Sequence, residues 1–341
     1  MKNPAGKAGP IIVKGSEPMI DSFGRSIDYM RVSITDRCNL RCVYCVPGEF
    51  AFTPHADILR YEELLRVCKI AAKNGIRTIK VTGGEPLVRK GCLKFIKELK
   101  AIPGIQHVTL TTNGVLLEPY VDALAELRLD GLNISLDTLE PDTYMRMTGL
   151  DTFKPVWRSL ARALDAGLRV KINCVPILGL NEKDIIPISR LAESFPVDVR
   201  FIELMPVGKG GSLRGIPSVT VMEALSGEYS DLSPDPSQHG FGPARYFRSG
   251  RLKGSVGFID AISNHFCSCC NRLRLTSEGF LKLCLYHGCG LDLRRMLRNG
   301  ASDSNIDEAM ARAVNLKPER HSFGDQASPE EGIKVMSQIG G

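Results

Sequence analysis

Three cysteines, Cys38, Cys42 and Cys45, share one short run, Arg37-Cys-Asn-Leu-Arg-Cys-Val-Tyr-Cys45. Thiolates spaced this closely on a loop can wrap an iron-sulfur cube, whose four irons ask for four ligands. Three sulfurs leave one iron open, and an open iron binds a small molecule that a fully ligated electron carrier turns away. The loop is therefore a candidate catalytic centre, and it has no obvious fourth ligand for zinc. A second group lies far downstream: Cys267, Cys270 and Cys284. It again offers three ligands for one cluster, although Cys289 or His287 could complete a tetrahedral zinc set instead. Arg272 and Arg274 alternate on a short predicted strand beside it and face the same way, placed either to clamp a carboxylate or phosphate or to form surface ion pairs.

The remaining thiols are read as background. Cys68, Cys92 and Cys174 fall on predicted helices or on the outward parity of a strand and are expected to be buried and inert, and Cys289 to be inert. Cys269, between two proposed ligands, is an additional thiol that could compete for iron or be oxidised.

Positioning such loops takes a scaffold, and 341 residues with 43% apolar content can bury a full core. Residues 1–30 are broken by Pro4, Pro10, Lys14 and Pro18, which leaves no signal-peptide core, and no window reaches transmembrane length. With eleven cysteines, the chain reads as cytoplasmic, where thiols stay reduced and often bind metals. A net charge of +6 does not argue for nucleic acid. Neither nucleic acid nor a membrane is expected as a partner, and the chain is expected to be a monomer or homodimer.

Between about residue 29 and residue 205 a strand-then-helix rhythm repeats. Strands are predicted at 29–35, 77–82, 107–112, 131–136, 169–175 and 197–203, with amphipathic helices at 60–74, 91–100, 118–127, 154–166 and 182–194. The class is α/β, and six successive units predict an incomplete (β/α)6 TIM-like barrel. Residues 1–25 read as an N-terminal extension and 26–215 as the partial barrel. Residues 216–341 read as a smaller C-terminal region carrying the second iron-sulfur site. The Gly/Pro-rich stretches 206–218 and 233–243 are taken as joining loops.

Strand parity carries the strongest inference. Met30, Val32 and Ile34 alternate with Arg31, Ser33 and Thr35, and Ile79 and Val81 with Lys80 and Thr82; the other four strands behave alike. Helices must cover the apolar face, so the polar face lines a lumen into which Arg31, Lys80, Lys171 and Arg200 point. Burying four cations without partners is prohibitive, whereas a polyphosphate would neutralise them through charge-assisted hydrogen bonds. The alternative, a sheet with one solvated face, is unusual for parallel strands. On the rim at the carboxyl ends of the strands lie Gly83-Gly84, which permits close backbone approach to a ligand, and Glu85, an acceptor for an ammonium group. The Thr111-Thr-Asn-Gly114 run and Ser135 add hydroxyl and amide groups there, and Tyr44 either packs or presents its ring or backbone to an adenine.

These residues resemble the radical S-adenosylmethionine superfamily. Within it they are similar to the GTP 3′,8-cyclase family of molybdenum cofactor biosynthesis. The motifs are Arg31 ahead of Cys38, Thr82-Gly-Gly-Glu-Pro86, Thr111-Thr-Asn-Gly114, Ser135-Leu-Asp137, Lys171-Ile-Asn173, Arg200-Phe-Ile-Glu-Leu-Met205, the Cys267 to Arg274 segment with Cys284, and Gly340-Gly341. The resemblance implies two 4Fe-4S clusters, on Cys38, Cys42 and Cys45 and on Cys267, Cys270 and Cys284. It implies S-adenosyl-L-methionine lined by Tyr44, Gly84, Ser135 and Met205. GTP would be held by Arg31, Lys80, Thr111, Lys171, Arg272 and Arg274, with Arg200 helping near the substrate.

The implied chemistry is a 5′-deoxyadenosyl radical that removes the ribose 3′ hydrogen, followed by closure onto C8 of guanine. An external electron donor and a downstream cyclic pyranopterin monophosphate synthase are implied as partners, and the diglycine end would reach the site near Arg31. Lys80 departs from the family, which usually carries Arg there. Rival readings are a radical enzyme acting on peptide or RNA, and a non-enzymatic metal-binding protein with zinc at the second group.

Overall fold

The computed structural model describes residues 18–45, 51–323 and 336–340. Most of the expected N-terminal extension, and Gly341, lie outside the described residues. Two short strands, β1 (Met19–Ile20) and β2 (Ser26–Ile27), pair as an antiparallel ribbon. The alternating segments then form the six expected strands: β3 (Tyr29–Ser33), β4 (Thr78–Thr82), β5 (His107–Thr112), β6 (Gly131–Ser135), β7 (Val170–Cys174) and β8 (Asp198–Ile202). They lie side by side, parallel and in chain order.

The sheet continues past them. The C-terminal region supplies β9 (Ser233–Asp235), β10 (Arg245–Arg248), β11 (Ser255–Ile259), β12 (Arg272–Leu275), β13 (Phe280–Lys282) and β14 (Gly290–Asp292). Strand β11 adds in parallel to β8 and β12 in parallel to β3, one at each edge, and the remaining four extend the edges antiparallel. The result is one twelve-stranded sheet that curls without closing among the described residues, an incomplete barrel. Residues 233–235, expected in a loop, form the outermost strand; Pro234 is tolerated there because an edge strand has a row of N–H groups with no partner to serve.

The apolar parity faces outward under the helices. Met30, Val32, Ile79, Val81, Leu110 and Leu132 are fully buried and join one core with Leu64 and Val67 of α1 (Tyr61–Lys73) and Phe95 and Ile96 of α2 (Cys92–Lys100). Helix α3 (Val121–Glu126) forms within the segment predicted helical, shortened by a 3₁₀ turn at Glu118–Tyr120. Between the six barrel strands one helix was not expected, α4 (Pro141–Thr148), which follows β6 and precedes α5 (Phe153–Asp165). Its marks were present: Pro141 at the first helical position, and Gly149 with φ 79° at the end, where a left-handed residue stops a helix. The last predicted helix, 182–194, is divided into a 3₁₀ turn and two short helices, Ile185–Ser189 and Leu191–Ser194. No helix among the described residues is long and apolar enough to cross a membrane.

Register aligns the polar face in layers. Arg274, Arg31, Lys80 and Thr109 are neighbours across β12, β3, β4 and β5. Asn133, Lys171 and Asp198 are neighbours across β6, β7 and β8, as are Ser135, Asn173 and Arg200. Parallel partners share a face, so these side chains meet in the lumen.

Candidate active site

The first cysteine loop leaves β3 and is fixed by backbone bonds to α4, from Arg41 N to Thr148 O (2.8 Å) and from Val43 N to Met147 O (2.9 Å). From the other side the Gly83-Gly84 turn presses against it. Gly84 N donates to Thr35 O at 2.7 Å, and a Cβ on Gly84 would stand 2.5 Å from Arg37 O. The glycines thus serve an approach of backbone to the cysteine loop itself.

Cys38 Sγ accepts from Leu40 N (3.4 Å) and from Asn113 Nδ2 (3.7 Å). Burial raises all three thiols, Cys45 to about 12 and Cys42 well above its ordinary range, and each is raised further by nearby negative groups: the other thiols and Asp137 for Cys42 and Cys45, Glu85 for Cys38. Three buried sulfurs that repel one another as thiolates need a cationic centre between them. Iron fits that need, and among the described residues the two nearby carboxylates, Glu85 and Asp137, are already engaged.

Of those carboxylates, sequence reasoning gave a role to Glu85 and none to Asp137. Glu85, expected to meet an ammonium group, is fully buried. Its oxygens accept from Leu87 N (2.9 Å), Thr112 Oγ1 (2.9 Å) and Asn113 N (2.7 Å), and burial lifts its pKa to about 7. It ties the second rim loop to the third. Asp137 accepts from the Tyr44 hydroxyl (2.7 Å) and from Val175 N (2.8 Å), with burial raising it to about 6. That bond turns Tyr44 inward and fixes it. Ser135 and Met205 are half-buried at the carboxyl ends of β6 and β8.

Below this rim the lumen is basic. Lys80 is buried and in no ion pair or hydrogen bond among the described residues, and its pKa falls well below normal through burial and then through Arg200, Arg31, Arg272 and Lys171. Burial, Arg31 and Arg272 lower Arg274 to about 9. Arg200 donates to Asn173 Oδ1 while its buried Nε finds no partner, and the Arg272 Nε is likewise unmatched. Thr111 accepts from Asn133 Nδ2 at 3.1 Å. The Gly340 carbonyl accepts from Arg31 Nε (3.3 Å) and Arg274 Nη1 (3.2 Å), so the chain's last described residue does reach the lumen.

Lys171 differs from the other cations. Its ammonium pairs with Asp198 and also meets the His239 carbonyl and the Tyr246 hydroxyl. Strand parity already set Asp198 on the face of Arg200, two positions on. His239 stacks on Tyr246 (4.0 Å between centroids) and Phe241 on His107 (4.0 Å), so the 239–246 segment floors the lumen at the amino ends of the strands. A cavity of about 50 Å³ lies above that floor, between Lys80, Thr109, Asn133, Arg200 and Phe241.

The second cysteine group lies on the edge strand β12. Arg272 and Arg274 point inward, alternating with fully buried Leu273 and Leu275 as expected. Cys267, Cys270 and Cys284 lie near enough that Cys284 and Cys270 raise the Cys267 thiol, after burial. Burial also raises Cys270, but Lys317 and Arg272 outweigh it and leave that thiol below its ordinary value. Cys269 and Cys289 are exposed, whereas Cys68, Cys92 and Cys174 are buried as expected. His287 turns Nε2 to Arg320 O (3.1 Å). Among the described residues no three His, Cys, Asp or Glu side chains converge on a point that would hold a single metal ion, at either cysteine group.

The profile of the Radical SAM superfamily matches residues 32–192, and that of Molybdenum Cofactor Synthesis C matches 197–323. A GTP 3′,8-cyclase of Pelotomaculum thermopropionicum is 45% identical over 95% of this chain and 100% of its own length. One of Heliobacterium modesticaldum is 46% identical over the same shares. Among solved structures, Streptococcus suis SuiB bound to S-adenosylmethionine superposes with a TM-score of 0.58 at 14% identity, covering 87% of this chain and 71% of that one, a likeness of fold alone.

Proposed function

The chain belongs to the GTP 3′,8-cyclase family of the Radical SAM superfamily, and on that premise we propose how its lumen divides cofactor from substrate. The reaction is the conversion of GTP to (8S)-3′,8-cyclo-7,8-dihydroguanosine 5′-triphosphate, the first step of molybdenum cofactor biosynthesis. Residues 26–215 build the cofactor end. Cys38, Cys42 and Cys45 hold a 4Fe-4S cluster, and Tyr44, Gly84, Ser135 and Met205 line S-adenosyl-L-methionine. When bound, these groups supply the one-electron and hydrogen-abstracting chemistry that no side chain can.

Residues 216–341 complete the substrate end, with a second 4Fe-4S cluster on Cys267, Cys270 and Cys284. Arg31, Lys80, Arg200, Arg272 and Arg274 bind the triphosphate, and Thr111 and Lys171 orient the nucleoside. The floor of His239 and Phe241 keeps water from the reacting sugar. The carrying observation is the basic lumen: Lys80, Arg200, Arg272 and Arg274 stand in no ion pair among the described residues, and a triphosphate supplies the missing negative charge. An external electron donor reduces the first site, and the product passes to cyclic pyranopterin monophosphate synthase. All eleven cysteines are free, which suits the reducing cytoplasm.

The test is anaerobic. Reconstituted protein, dithionite and S-adenosylmethionine are incubated with and without GTP, and 5′-deoxyadenosine and cyclised nucleotide are measured by mass spectrometry. Cys38→Ala is expected to abolish both products, whereas Cys284→Ala keeps some deoxyadenosine and loses the cyclised nucleotide. Normal cyclised product from Cys284→Ala would remove the second cluster from the reading.

A further inference from the structure

Lys317 carries a buried positive charge that the reaction as described leaves unused. It follows the helix Asp303–Val314, is 3% exposed, and takes part in no ion pair among the described residues. A buried ammonium without a carboxylate is costly unless an anion lies beside it. Its Nζ donates to Arg272 O (3.0 Å) and Leu283 O, and its charge helps to hold the Cys270 thiol below its ordinary value. Arg272 lies two residues past Cys270, and Leu283 directly precedes Cys284, so one side chain spans two of the three ligand segments.

The third segment is fastened to the same place. Buried Arg25, paired with Asp21 at 2.6 Å, donates to Cys267 O (2.8 Å), Pro318 O (2.7 Å) and Glu319 O (2.8 Å). The stretch 317–319 is thereby held against all three ligand-bearing segments.

We propose that Lys317 is a positioning residue for the second cluster, joining its ligand segments and acting as its fixed counter-charge, so that the reduced cluster is stabilised. The inference rests on the second-cluster reading and deepens it. A cation and an N–H beside a sulfur ligand favour the more negative, reduced state and raise the reduction potential. The electron gained comes from the external donor and, in the cyclase, leaves to the substrate.

The experiment uses the full chain with Cys38, Cys42 and Cys45 replaced by Ala, so that only the second site reports. Lys317→Gln keeps a donor without the charge, and Lys317→Arg keeps the charge. Each is reconstituted anaerobically, assayed for iron and sulfide, and titrated redox-wise by EPR, with unfolding followed by circular dichroism. Lys317→Gln is expected to lower the reduced-to-oxidised ratio at a fixed potential about tenfold, which is about 59 mV for one electron, and Lys317→Arg to restore it. Iron lost from the Gln form and kept by the Arg form, with both folded, would equally support the assignment. Lys317→Gln holding full iron at the parent midpoint would overturn it. A parent that takes zinc or no iron would overturn the second-cluster reading first, and the inference with it.

Discussion

Lys80 ends in a buried ammonium whose neighbours are Arg31, Arg200, Arg272 and Lys171, and this crowding drives its proton affinity down. A bound triphosphate reverses that field. GTP binding is therefore expected to take up protons, seen as buffer-dependent heat in calorimetry, and Lys80→Met is expected to lose most of that uptake. Affinity in Lys80→Met is expected to fall by about 10- to 100-fold, the worth of one charge-assisted contact, with iron content unchanged. Lys80→Arg is expected to keep affinity without the uptake, because guanidinium holds its proton throughout. Glu85 gives a prediction about stability. Its folded pKa of about 7 lies above the ordinary 4.5, so the folded chain binds the extra proton between those values. This group's contribution is fully present below that window and declines as pH rises through it, by up to about 1.4 kcal/mol per pH unit. Subtracting urea-unfolding curves of Glu85→Gln from those of the parent between pH 5 and 7 should isolate that slope; parallel curves would contradict it. The charge of Glu85 was visible in the sequence beside Gly84. Its three partners were not, since two are backbone N–H groups whose direction depends on how the rim loops fold.

The cysteine loop is held between α4 and the Gly83-Gly84 turn, and the turn is the less forgiving support. On Gly84 a methyl would meet two carbonyls, Arg37 O at 2.5 Å and Asp36 O at 2.7 Å, and neither is a flexible tip. Gly84→Ala is expected to cost about 1–3 kcal/mol and to lose the iron of the first site while the second keeps its own. Iron assays on variants lacking one or the other cysteine group would show this. Gly340, with φ 81° and a hypothetical Cβ 2.5 Å from Thr82 Oγ1, should behave differently. Gly340→Ala is expected to keep both irons and slow cyclisation, measured by product formation at saturating GTP. At this scale the sequence was readable where periodicity is local. The six strands and their inward polar faces followed from alternation, as did Arg272 and Arg274. The parallel additions of β11 and β12 did not, because alternation states which way side chains point and says nothing about a partner more than fifty residues away.

Among the described residues every strand but the β1–β2 ribbon joins one sheet, and the segment bearing the second cysteines pairs with the first strand of the barrel. Truncation after residue 215 would uncover β8 where β11 pairs and β3 where β12 pairs. Such a fragment is expected to aggregate or unfold without cooperativity, judged by its denaturant transition against that of the full chain. The pairing of Tyr29 with Arg272 also dictates a history for each molecule as it is made. The two residues are 272 − 29 = 243 positions apart, which at ribosomal speed is roughly 12–50 s of waiting. Throughout that interval the leading edge of the sheet is a bare template for any other extended chain. The same topology that brings the second group of cysteines beside the lumen is therefore expected to make the newborn polypeptide a client for holding chaperones until nearly its last strands emerge.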